Sequence, residues 1–182
     1  MATQESFSPG KGTLSQVTRV TYPEIGRTRG GPLPDGYRHL RYRTRLGTGP
    51  RVFAAAGEAV LTFRMHRATG AGVRADASRA EPGTRVTIGA GPVTAPCEVV
   101  WVAQEEQKIG FGYGTLPGHP ARGEEAFVVE IDRQDRVWFT VTAFSRPAGA
   151  LMRLAGPAAV LVQHLYARRC GQVLRRLGTV TR

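Results

Sequence analysis

Lysine is nearly missing from this chain: Lys11 and Lys108 are the only two among 25 basic residues, and arginine supplies the rest. Cysteine is as scarce. Cys97 and Cys170 are too few for a disulfide framework, or for a zinc site, which takes about four ligands at close spacing; no metal and no cofactor is called for. Acidic residues stop at Asp135, leaving none from Arg136 onward. No apolar run approaches the ~20 residues of a membrane helix, the longest lying near AGPAAVLV. The opening MATQESFSPGKG has no apolar stretch, so a secretory leader is not expected, and a reduced, cytoplasmic setting fits. Neither a GxSxG nucleophile elbow nor an HExxH metal helix occurs.

What is present is a globular composition, 41% hydrophobic and 8% aromatic, in 182 residues with a net charge of +11. That length suits one domain, read here as 21–178 behind a flexible polar tail, 1–20. The charge suits an anionic partner, nucleic acid or an anionic membrane surface; it equally suits a solvated, soluble surface.

RHLRYRTRL alternates, with Leu40, Tyr42, Thr44 and Leu46 on one face and Arg41, Arg43 and Arg45 on the other, which predicts a strand. RVFAAAGEAVLTFRMHR predicts one helix opened by Pro50. GVRAD, TRVTIGAG, APCEVVWVAQ, KIGFGYGTL, EEAFVVEID and VWFTVTAFS then read as six strands of an antiparallel meander. In the closing helix Leu151, Leu154, Ala158, Leu161 and Leu165 form an apolar stripe, Arg153, His164 and Arg168 stand opposite, and Gly156-Pro157 should kink or split it. The fold class is therefore α+β, a curved antiparallel sheet of about seven strands packed on a long C-terminal helix.

GFGYGTLPGHPARGEE, residues 110–125, is the densest motif. The dinucleotide fingerprint fails, because Thr115 stands where a third glycine is needed and no helix follows. As a strand it sets Ile109, Phe111 and Tyr113 against three glycines on the other face, a sign of bending or close approach. Parity turns Tyr42, Val99, Trp101, Phe111, Tyr113, Glu125, Phe127 and Phe139 inward and Glu124 outward. That set reads either as a pocket with polar tips or as a filled core. Glu125 is either ion-paired, to Arg122 or Arg146, or a functional group at a cavity mouth.

Tyr22-Pro23-Glu24 with Gly26, GYRHLRY, Met65-His66-Arg67, YGTLPGHPARGEEAF and AFSRP together resemble an uncharacterised protein family, number 0548, over about residues 21–177. That resemblance brings no activity. The element order is similar to the helix-grip domain of the START and polyketide-cyclase superfamily. This second resemblance implies a cavity between sheet and last helix, a bound lipid, sterol, hormone or aromatic molecule, and in a minority of members cyclisation or dehydration.

On these grounds the ligand-binding candidates are Tyr42, His66, Trp101, Phe111, Tyr113, Glu125 and Arg146. His66, at the end of its helix, reads equally as a cation on the dipole. Arg146 suits an anionic head group or a glutamate partner. His119 and Glu125 are the acid/base candidates. The expected function is binding of a small apolar or amphipathic molecule, the alternatives being a cyclase or dehydratase and arginine-driven binding to nucleic acid or an anionic membrane.

Overall fold

A computed structural model describes residues 20–91, 93–149 and 156–179. The element order is β1 (Arg38–Thr48), α1 (Pro50–Leu61), α2 (Arg64–Ala68), β2 (Gly72–Ala75), β3 (Arg85–Ala90), β4 (Val93–Glu105), β5 (Lys108–Thr115), β6 (Ala121–Ile131), β7 (Arg136–Pro147) and α3 (Gly156–Thr179). Seven strands form one curved antiparallel sheet in the order β1-β7-β6-β5-β4-β3-β2. The six later strands are the expected meander, and β1 pairs with β7, Leu40 facing Ala143. The tail expected over 1–20 lies outside the described residues apart from Val20.

The inner face carries the core. Phe111, Phe127, Phe139 and Val141 are fully buried beneath α1 and α2 and, on the α3 side, Ala167, Cys170 and Leu174. Each phenylalanine contributes about 2–3 kcal/mol by leaving water.

Two expectations about the helices need correction. The single helix after Pro50 is two, because Phe63 takes the left-handed conformation (φ 57°) between α1 and α2. A fully buried aromatic ring holds that unfavourable backbone in place. On α3 the stripe is displaced: Leu161 and Leu165 are 60% and 53% exposed, while Ala167, Cys170 and Leu174 are buried. Aliphatic residues occur on both sides of this helix, so spacing alone could not choose between them. The described helix is Gly156–Thr179; the kink or split expected at Gly156-Pro157 turns on residues 150–155, among them Leu151, Arg153 and Leu154, which lie outside the described residues.

Residues 20–37 form an irregular strap across the outer face of the sheet. Its anchors Tyr22 and Tyr37 meet the buried Phe144 ring edge-on, at 5.5 and 5.0 Å. Gly112 and Gly114 of β5 lie beneath it. A Cβ on Gly112 would stand 2.3 Å from Trp101 Nε1, and one on Gly114 2.3 Å from the Tyr22 hydroxyl. Gly112 and Gly114 make room for side chains, whereas a Cβ on Gly110 would stand 2.3 Å from the Phe127 backbone oxygen. Gly112→Ala should lose about 1–3 kcal/mol of stability by overpacking, with a fluorescence change as the Trp101 indole shifts; an unchanged denaturation midpoint counts against this reading.

Candidate functional site

The motif residues Glu124 and Glu125 are neighbours in β6, so their side chains leave by opposite faces of the sheet. They meet two unlike environments.

On the outer face Glu124 is 2% exposed. Its Oε2 accepts from the Tyr22 hydroxyl and the Gly26 amide, both at 2.7 Å. Its Oε1 accepts from the Thr28 amide at 2.9 Å, the Thr28 hydroxyl and Trp101 Nε1 at 3.3 Å. Five donors from the strap and from β4 saturate one carboxylate, the arrangement burial requires. Burial beside Glu124 also holds the Tyr22 phenol well above its ordinary range.

Trp101 is therefore a correction. It belongs to the outer face with Ala126 and Val128, because the register of β4 shifts between Val99 and Trp101. One extra residue in a strand reverses every parity beyond it.

On the inner face Tyr113 sits directly opposite Glu125. The Tyr113 hydroxyl donates to Glu125 Oε2 at 3.0 Å, and Gln163 of α3 donates to Oε1 at 3.4 Å. No ion pair joins Glu125 to Arg122 or Arg146 among the described residues. Burial raises the Glu125 pKa, and the two hydrogen bonds oppose that shift without cancelling it. The folded carboxyl thus keeps its proton to higher pH than the unfolded one, and its contribution to stability falls as pH rises above about 4.5. Glu125→Gln should therefore stabilise the protein at pH 8 relative to wild type and lose that advantage near pH 4; denaturation midpoints at the two pH values test the sign.

His66 is fully buried on α2, not a cation at a helix end. Its ring meets Phe127 edge-on at 4.6 Å, with Phe111 and Tyr166 at 6.0 and 6.2 Å. Nδ1 lies 3.2 Å from the Tyr166 hydroxyl, and Nε2 has no hydrogen-bond partner among the described residues. Burial pulls its pKa down to about 3, so the imidazole is neutral.

His119, in the β5–β6 connection, accepts from the Ala121 amide through Nδ1 at 2.9 Å, and burial lowers its pKa to about 4. That nitrogen is committed to the turn. The Arg146 guanidinium lies over the Tyr37 ring, 5.1 Å from its centroid, instead of meeting a glutamate.

A cleft of about 1130 Å³ opens between the inner face and the first half of α3. Tyr113, Glu125, His119 and Arg146 border it, as do Gln163 and Tyr166, which sequence reasoning did not single out. Tyr42, His66, Trp101 and Phe111 are not on its wall: Tyr42 and Phe111 pack with the core, His66 lies among aromatic rings and Trp101 is on the other face. No group of three or more His, Cys, Asp and Glu side chains able to hold a metal occurs among the described residues.

Residues 21–173 match the family described as Domain of unknown function (DUF1990). The UPF0548 protein of Deinococcus radiodurans is 33% identical over 176 residues, 89% of each chain. A UPF0548 protein of Arabidopsis thaliana is 36% identical over 88 residues, 45% of this chain and 43% of that one. Among solved structures, a hypothetical protein of Helicobacter pylori is similar at a TM-score of 0.62 and 11% identity, covering 98% of this chain and 99% of that one. Norcoclaurine synthase of Thalictrum flavum is similar at 0.58 and 11%, covering 99% of each. At such identities the structural likeness speaks for the helix-grip fold alone. The family match over residues 21–173 and the Deinococcus relative covering 89% of the chain agree, and the chain belongs to the UPF0548 family, the family of the DUF1990 domain.

Proposed function

We propose that the protein holds a small apolar or amphipathic molecule in the cleft between the inner sheet face and α3. The observation that carries this reading is the cleft's size and lining together. About 1130 Å³ is slightly larger than the range of ligand sites, about 300–1,000 Å³. Leu40, Ile88 and Val162 give apolar wall, and Tyr113, Glu125 and Gln163 give a few polar tips. Val162 is 65% exposed although it borders the cleft, and a seated ligand would cover it. Norcoclaurine synthase, of the same fold, is solved in complex with dopamine and hydroxybenzaldehyde, which supports a small aromatic occupant. A cytoplasmic location goes with the two free, buried thiols.

Native mass spectrometry of gently purified protein should reveal a bound small molecule, or binding from a lipid and aromatic library. Protein that binds nothing in either experiment counts the reading out.

A second reading, an acid/base enzyme of cyclase or dehydratase type, is favoured by one observation: Glu125, its pKa raised by burial, touches Tyr113 in an apolar cleft. Such a carboxyl can hold a proton for donation nearer neutral pH. Turnover of any substrate found by screening that survives Glu125→Gln unchanged removes that role.

A further inference from the structure

The charges around the cleft are one-sided. Arg38, Arg146 and Arg169 border it, all three exposed. The four ion pairs found among the described residues join Arg29, Arg79, Arg85 and Arg136 to carboxylates and include none of these three. Arg38 donates to the Gly156 carbonyl at 3.0 Å and Arg146 covers Tyr37, both neutral partners. Among the described residues, the only acidic ones on the cleft are Glu124 and Glu125. Glu124's oxygens are taken by five donors on the other face, and burial favours the uncharged form of Glu125. No acidic side chain can be recruited from β7 or α3, since the chain has none after Asp135.

Resting on the ligand-binding reading of the cleft, we infer that its occupant is an anionic amphiphile: an apolar body against Leu40, Ile88 and Val162, and a carboxylate, sulfonate or phosphate head at the exposed rim, paired by Arg169, with Arg38 adding positive charge farther along it. Guanidinium groups pair such oxyanions through two parallel hydrogen bonds. At the buried wall Tyr113 and Glu125 set the complementary requirement. They offer hydrogen bonds to a neutral hydroxyl or carbonyl.

Two fluorescent probes that differ by one charged group separate the possibilities. The full chain should bind 1-anilinonaphthalene-8-sulfonate about tenfold more tightly than N-phenyl-1-naphthylamine, its uncharged counterpart, at low salt. In R38Q/R169Q the preference should collapse toward one while the neutral probe keeps its affinity. Arg169 is exposed, so R169Q alone serves if the Arg38 contact to Gly156 proves necessary for folding, and it should reduce the preference in the same direction. Equal binding of the two probes by wild type, or a preference unchanged in the variants, overturns the anionic head group and leaves the ligand-binding reading standing. Binding of neither probe overturns both.

Two further arms identify the source of the anion. Displacement of the sulfonate by dodecanoate marks a free acid. Retention on phosphatidylglycerol vesicles, lost in R169Q, marks a lipid head group. Either result supports the inference, and failure of both arms counts against it.

Discussion

Glu124→Ala is expected to lower stability by about 3–5 kcal/mol, a large part of the ~5–15 kcal/mol typical of a whole domain. The substitution strands four donors at once, the Tyr22 and Thr28 hydroxyls and the Gly26 and Thr28 amides, while the Trp101 indole keeps the Thr28 hydroxyl oxygen as acceptor at 3.0 Å. Each buried donor left without an acceptor costs about 1–3 kcal/mol. The total stops short of the sum because the strap can lift and let water reach them. Urea denaturation should read the loss, and hydrogen exchange at Gly26 and Thr28 should rise well before global unfolding. Glu124→Gln keeps the shape but turns an amide NH2 toward donors, so it too should destabilise. A Glu124→Gln protein as stable as wild type would refute the socket as an energetic feature.

Acidification provides the second large effect. His66 has a pKa of about 3 in the fold against 6.5 unfolded, so the folded state binds fewer protons throughout that window. Its contribution is whole above about pH 6.5 and is lost as pH falls toward 3. At about 1.36 kcal/mol per pH unit, roughly 3 kcal/mol has gone by pH 4. His119, at about 4, adds a loss of the same sign. Glu125 works against both, since protonating it on the way to pH 4.5 relieves a buried charge. The net expectation is a steep fall in denaturation midpoint between pH 6 and 4. His66→Phe should flatten the slope by up to about 1.4 kcal/mol per pH unit, whatever it does to absolute stability. An identical slope in that variant would show that His66 is not the group being charged.

These two residues also mark how far the sequence could be read. All seven strands and the closing helix were legible, because alternation and turn residues are local signals. Parity gave Tyr113, Glu125 and Phe127 their common face. It misplaced Trp101, since one added residue between Val99 and Trp101 leaves no mark in a pattern of apolar letters. The socket was invisible for another reason. Glu124 lies 102 residues from Tyr22, and a glutamate on an outward position looks solvated until something is known to cover it. The only hint was the pair Gly112 and Gly114, strand positions with no side chain on the face the strap crosses. His66 looked like a helix-end cation because the sequence could not show that the chain reverses hand at Phe63 and sends the next turn inward.

Adjacent glutamates facing opposite ways also guard against misassembly. If β6 slipped one place against its neighbours, the two carboxylates would trade sides. The residue with five waiting donors would arrive where two are offered, and Glu125 would inherit a socket shaped by another backbone position. Slippage, usually penalised only by exposing greasy side chains, would here be punished electrostatically on both surfaces. A sheet whose neighbouring strand is so rich in glycine, and thus poorly defended against sliding, has reason to keep that safeguard.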